Sequence, residues 1–293
     1  MASGEVNGQQ VLATADRRGE IRLWDVETGE QVGVGYRTDA RLIGALYVLT
    51  TPTGPIVVGI DTTTGRFYGW YPETGQSVHL DTVGRTLMTA CRVVDGRVLV
   101  ATVSLQGHIQ LWDLARCTKL MARRAWLLRD REVVRIVTVD GVATVLITAV
   151  VWPDVTNVSM VSPQRRRIHR MWLRGEHVLD ALDLDDRVTL VTHVGWAPVP
   201  WSSGRLVERI TLREDFDTWE YLPKVVELPD RALAVCAMPA VVLWKPESRE
   251  IAGKVTFDEV DSGTRELVSF QTSTGTWLAR PAGRSVQAID VAE

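Results

Sequence analysis

VLATADRRGEIRLWDVETGEQV, residues 11–32, is the stretch that decides the fold. It reads as strand, turn, strand, turn: a β-run ending at Ala15, a turn over Asp16–Gly19, an alternating run over Glu20–Val26, and a second turn at Glu27–Glu30. In the alternating run Ile21, Leu23 and Asp25 share one face while Arg22, Trp24 and Val26 share the other, because successive strand side chains point to opposite sides. That puts Trp24 between neighbouring layers. Gly19 and Gly29 fall where hairpin turns need a positive φ, which a residue with a Cβ adopts only at a cost.

The stretch is repeated. VLVATVSLQGHIQLWDLARCTKL at 98–120 is a close echo, and IVVGIDTTTGRFYGWYPETGQSV at 56–78 a worn one. Aligned on Trp24, Trp70 and Trp112, the unit is about 40 to 45 residues long, the size of one four-stranded propeller blade. A chain of 293 residues holds about seven. The expectation is an all-β fold, a β-propeller of seven four-stranded blades in a single domain over residues 1–293. Beyond Trp112 the signal thins. Glu132–Ser162 supplies strands of a fourth blade, with Trp152–Asn157 as a long turn; His177–Tyr221 forms a fifth, with Gly195–Gly204 as another. The tract Val142–Trp152, short and β-branched, reads as a buried strand. Ala240–Pro246 matches the tryptophan strand again, and Leu267–Val291 closes the series.

These repeats resemble those of WD40-repeat propellers, in a divergent form frequent among actinobacterial-like sequences. In that family a His, a Ser or Thr, an Asp and the Trp form a buried hydrogen-bonded tetrad in each blade. Here the Asp position holds Arg18, Thr64 and Gln106, and no Gly-His dipeptide precedes a blade. Cohesion is therefore expected from packed Val, Leu, Ile and Trp. The resemblance also implies a ring sealed at its termini, with Gly4–Gly8 and Gln287–Glu293 in the same or adjacent blades.

Composition bounds function loosely. Net charge is −3, and no apolar stretch approaches a membrane span or a signal peptide. Cys91, Cys117 and Cys236 show neither metal nor disulfide spacing, which points to a reducing, cytoplasmic setting. Four lysines against 29 arginines point to a GC-rich bacterial genome. No nucleophile elbow, zincin, Walker or dinucleotide motif occurs, so no catalytic residue, cofactor or metal site is assigned. The acidic run Asp180, Asp183, Asp185 and Asp186 lacks calcium-loop spacing and reads as solvated turns.

Charge is uneven, however. Arg116–Arg174 holds twelve basic and four acidic residues, +8, which leaves −11 for the rest. Arg165, Arg166, Arg167, His169 and Arg170 are its densest piece and suit an acidic protein partner, with neither nucleic acid nor membrane indicated. Trp24, Trp70, Trp112, Trp244 and Trp277 are placed at repeat positions. Trp126, Trp152, Trp172, Trp196, Trp201 and Trp219 are not, and loop tryptophans serve as interface anchors or pocket walls. Trp196, Trp201, Trp219 and Tyr221, with His193 nearby, form the candidate apolar patch. The expected function is a protein-interaction scaffold acting through one rim. The alternative is an enzyme or small-ligand binder of a bacterial biosynthetic pathway, its site at the axial channel mouth.

Overall fold

A computed structural model describes residues 1–82, 86–104, 106–124, 130–152, 155–164, 168–174, 177–184, 187–193, 208–212, 224–228, 233–237, 240–245, 250–256, 267–282 and 285–291. Among them there are seven sheets and no helix. Sheet 1 comprises β1 (Ala2–Val6), β2 (Gln9–Ala15), β3 (Glu20–Asp25) and β4 (Gln31–Arg37); sheet 2 comprises β5 (Ile43–Thr51), β6 (Gly54–Asp61), β7 (Arg66–Trp70) and β8 (Ser77–Asp81). Sheet 3 holds β9 (Thr86–Val94), β10 (Arg97–Ser104), β11 (His108–Asp113) and β12 (Thr118–Arg124); sheet 4 holds β13 (Asp130–Val139), β14 (Val142–Trp152), β15 (Val155–Val161) and β16 (His169–Arg174). Sheet 5 is β17 (His177–Leu184), β18 (Arg187–His193) and β19 (Glu208–Leu212); sheet 6 is β20 (Lys224–Glu227), β21 (Leu233–Ala237), β22 (Ala240–Lys245) and β23 (Glu250–Thr256). Sheet 7 is β24 (Val268–Thr272), β25 (Gly275–Ala282) and β26 (Ser285–Asp290).

Five sheets thus have the expected four strands and two have three among the described residues. Each four-stranded sheet is an antiparallel meander in chain order, the form of a propeller blade. Sheet 5 departs from this, since β18 and β19 pair in parallel. A parallel pair cannot be joined by a tight hairpin, and the chain spends residues 194–207 on the connection.

The chain divides into two compact units, Met1–Asp81 with Phe216–Glu293, and Thr82–Asp215. In the first unit the opening stretch behaves as its alternation predicts. Ile21 and Leu23 are fully buried in a cluster with Leu46, Val57 and Trp70 of sheet 2. Trp24 and Val26, on the other face, pack with Val268, Phe270 and Ala279 of sheet 7. One strand thereby serves two interfaces. Trp70 repeats the arrangement and stacks on Tyr36 of sheet 1 with ring centroids 5.7 Å apart.

Sheets 1 and 7 are neighbours, with β24 alongside β1 and β2. Ser3 Oγ donates to the Ser269 carbonyl at 2.5 Å, and Ser273 donates from its hydroxyl to Glu27 Oε2 at 3.0 Å and from its backbone N–H to Glu27 Oε1. The terminal segments therefore lie in adjacent blades, and each terminal strand pairs within its own sheet. In the second unit β13 packs against both β9 and β17, and its core runs from Ala90 and Leu99 through Ile136 and Ile147 to Leu173 and Leu190.

Several expectations need correction. Val155–Val161 is strand, with Thr156 and Asn157 buried, so Trp152–Asn157 is no long turn; only residues 153–154 separate β14 from β15. Among the described strands Trp277 lies on the second of sheet 7, whereas Trp24, Trp70, Trp112 and Trp244 each lie on the third of their sheets. Trp172 stands on strand β16 rather than in a loop. Asp180 is not a solvated turn residue: it is on β17, 1% exposed, and ion-paired to Arg135 at 2.6 Å. One bond of the tetrad's kind is present, as Trp24 Nε1 donates to Thr14 Oγ1 at 2.8 Å and joins the second and third strands of sheet 1. Val142–Trp152 is indeed one strand, β14.

Turns are fastened by carboxylates. Asp61, buried at the end of β6, accepts from the Thr63 backbone at 2.8 Å, the Thr63 hydroxyl, and the Arg41 backbone at 3.3 Å. Burial alone would raise its pKa, but the donors from Thr63, Arg41 and Thr64 outweigh burial and hold it below the ordinary value. A carboxylate whose folded pKa is depressed contributes stability above its unfolded pKa, and loses it as pH falls through the folded value. Replacing Asp61 by Asn should cost about 1 to 2 kcal/mol at neutral pH. In denaturant titrations the gap from wild type should close once the pH drops below the carboxylate range. A gap that persists in acid would show that Asp61 acts by shape alone.

Candidate functional site

The positive segment of the sequence maps onto sheets 3 and 4. Their edge strands, β12 and β16, carry Lys119, Arg123 and Arg124, and His169, Arg170 and Arg174. Lys119, Arg124 and Arg170 are exposed, and the Lys119 ammonium lies 5.4 Å from the Trp112 ring centroid. Not every basic group in the segment is free to act outward. Arg135 pairs with Asp180, and Asp113 takes Arg97 at 2.8 Å and Arg116 at 3.9 Å.

β16 is the most distinctive of these strands. Its alternation is strict: Met171 and Leu173 are buried in the core shared with Val178 and Leu190, while Arg170 and Trp172 are exposed on the other face. Trp172 is 48% exposed, one of four large hydrophobic side chains exposed among the described residues. It pairs on one side with Asn157 of β15, and among the described residues β16 has no strand beyond it in its sheet. An edge strand offers unpaired backbone donors and acceptors, and this one sets an aromatic anchor beside the exposed Arg170.

His169, at the start of β16, faces a different setting. With Val139, Asp140, Val142, Thr144, Met160, Ser162 and Gln164 it lines an open depression of about 150 Å3, at the end of sheet 4 where the β13–β14 and β15–β16 connections meet. The structure thus gathers His169 with Ser162, across the β15–β16 connection, and with Asp140 of the β13–β14 turn, which is distant from both in sequence. His193 ends β18, and its backbone is the cross-strand partner of His177. A bulge between Val178 and Asp180 sets that register, and hairpin counting from the 185–186 turn misses it by one residue. Arg165, Arg166, Arg167, Trp196, Trp201, Trp219 and Tyr221 lie outside the described residues. Among the described residues no cluster of His, Cys, Asp and Glu is arranged to hold a metal, and no helix is long and apolar enough to cross a membrane.

No family model and no curated protein matches the sequence. Among solved structures the chain is similar to the WD40 β-propeller domain of Doa1, with 13% identity and a TM-score of 0.58, over 98% of this chain and 90% of that one. Likeness at that identity speaks to fold alone, and with the meandering four-stranded sheets it makes this chain a β-propeller.

Proposed function

We propose that the protein is a non-enzymatic scaffold, bacterial and cytoplasmic, whose residues 1–293 form one propeller domain that binds an acidic protein partner through the basic edge of sheets 3 and 4. Support for a single domain comes from the solved propeller, which aligns over 98% of the chain. The observation that carries the binding reading is Trp172, half exposed beside Arg170 on the open edge of β16. Leaving a large aromatic in water forgoes about 2 kcal/mol of burial, which a partner would recover. Cations around it steer an acidic surface and weaken in salt.

The test is affinity capture from a lysate of the source cell, comparing wild type with an Arg170→Glu/Trp172→Ala variant and with alanine at Arg165, Arg166, Arg167 and Trp201. Arg170 and Trp172 are exposed, and substitutions at exposed positions shift stability by only about 0.5 kcal/mol, so melting of the double variant should be unchanged. A stoichiometric partner should be lost from both variants and released from wild type by salt. Retention of every partner by both variants would overturn this face.

A further inference from the structure

We propose that the depression at the end of sheet 4 binds a neutral polyhydroxylated ligand, the edge of a single sugar ring. Its walls mix polar and apolar groups, five to three: Asp140, Thr144, Ser162, Gln164 and His169 against Val139, Val142 and Met160. Ser162 is the pointed observation. It is only 5% exposed, and its hydroxyl oxygen is buried without a hydrogen-bond partner. Such a group costs about 1 to 3 kcal/mol where nothing satisfies it. Ser162 lines the depression, and a ligand there would offer its hydroxyl the partner it lacks.

Charge selects the ligand class. The Asp140 carboxylate disfavours an anion in the depression, and the +8 of the surrounding segment disfavours a cation. A neutral molecule rich in hydroxyls meets neither objection. Carboxylates offer about four acceptor sites, and vicinal hydroxyls match the spacing of the two oxygens on a carboxylate such as Asp140. Gln164 supplies donors, and Ser162 serves as donor or acceptor. Thr144 spends its proton on the Val142 carbonyl at 3.1 Å and is left as an acceptor. Val139, Val142 and Met160 suit the C–H face of a ring. Size agrees as well: an engineered cavity of about 150 Å3 holds a six-membered carbon ring. Because the depression is open, the rest of the sugar stands in solvent.

The experiment is saturation-transfer NMR and calorimetry on the full chain with glucose, galactose, mannose and N-acetylglucosamine, each free and as its methyl α- and β-glycosides, and with glycerol as the small polyol. At least one sugar should bind saturably, with an affinity of about millimolar for so few enclosed atoms. Preference for a methyl glycoside would assign a chain-end residue, and preference for the reducing sugar a free monosaccharide. Ser162→Ala and Asp140→Asn should each weaken binding about tenfold, by loss of one or more hydrogen bonds. Both should fold: alanine removes an unsatisfied hydroxyl, and Asn tolerates the positive φ of 53° at residue 140. The proposal is overturned if no sugar binds saturably, if glycerol binds as well as the sugars, or if both variants bind like wild type. Capture of the protein partner is read separately and stands or falls without this result.

Discussion

Arg135→Ala should destabilise the protein by about 3 to 5 kcal/mol, the range for stripping the partner from a buried charge. Arg135 Nη2 sits 2.6 Å from Asp180 Oδ2, and the carboxylate is 1% exposed. What would remain is the backbone N–H of Ala181, which donates to Asp180 Oδ1 at 2.7 Å, and one neutral donor does not replace a guanidinium. The pair links β13 to β17, so the loss falls on the packing of sheet 4 against sheet 5. Two further variants separate charge from packing. Adding Asp180→Asn to Arg135→Ala should recover much of the loss, since the orphaned charge is gone. Replacing both residues together, Arg135→Met with Asp180→Leu, should be near neutral or stabilising, because apolar groups of similar volume escape the desolvation penalty. Denaturant midpoints at matched pH decide it. A cost of less than about 1 kcal/mol for Arg135→Ala would mean that water reaches the carboxylate after all.

That ion pair also shows where sequence reasoning stops. Arg135 and Asp180 are 45 residues apart, and nothing local marks either as the other's partner. Counting charges put one in a positive stretch and the other in an acidic run, and both summaries hide the pairing. The blades were far more legible, because each is a local object: strands, turns and alternation recur within 40 to 45 residues. Trp24 was placed between layers by period-2 alternation alone, and so it stands.

The fourth blade, read in the sequence from its strand runs over Glu132–Ser162, is announced more sharply by its first turn. Val6-Asn7-Gly8, Val94-Asp95-Gly96 and Val139-Asp140-Gly141 are one motif, with φ of 54° and 75°, 50° and 70°, and 53° and 74° at the two turn residues. Positive φ at both positions is the type I′ hairpin, which matches strand twist and selects Asn or Asp followed by Gly. Sheets 2 and 7 solve the same turn differently. In Thr51-Pro52-Thr53-Gly54 and Thr272-Ser273-Thr274-Gly275 the first hydroxyl donates to the glycine carbonyl, at 2.6 and 3.1 Å. Five sheets thus announce themselves by the first turn in the sequence. Side-chain groupings such as Asp140, Ser162 and His169 do not, since they come together only when separate connections converge at one end of a sheet.

The opening stretch contains its own controlled experiment. Gly19 and Gly29 have nearly the same backbone, φ of 76° and 70°, yet Gly19→Ala should cost about 3 kcal/mol or more and Gly29→Ala only about 1 to 2. The shared part is the left-handed conformation, which a Cβ disfavours at either site. Surroundings supply the difference. A Cβ on Gly19 would lie 2.6 Å from Thr38 Oγ1 and 2.8 Å from the Ala40 carbonyl oxygen, whereas one on Gly29 meets nothing within 4 Å. Neither obstacle at Gly19 yields cheaply. Thr38 is buried, its hydroxyl donates to the Gly19 carbonyl at 2.8 Å and accepts from the Ala40 backbone at 3.1 Å, and its own N–H returns to Gly19 O. Inserting a methyl therefore breaks the bonds that hold the connection from β4 to β5 against the turn from β2 to β3. Asn separates the two contributions, since it tolerates positive φ: Gly29→Asn should be near neutral while Gly19→Asn stays costly. Equal losses at the two glycines, measured by denaturant unfolding, would show that backbone conformation alone governs both turns and that the close approach at Gly19 relaxes without cost.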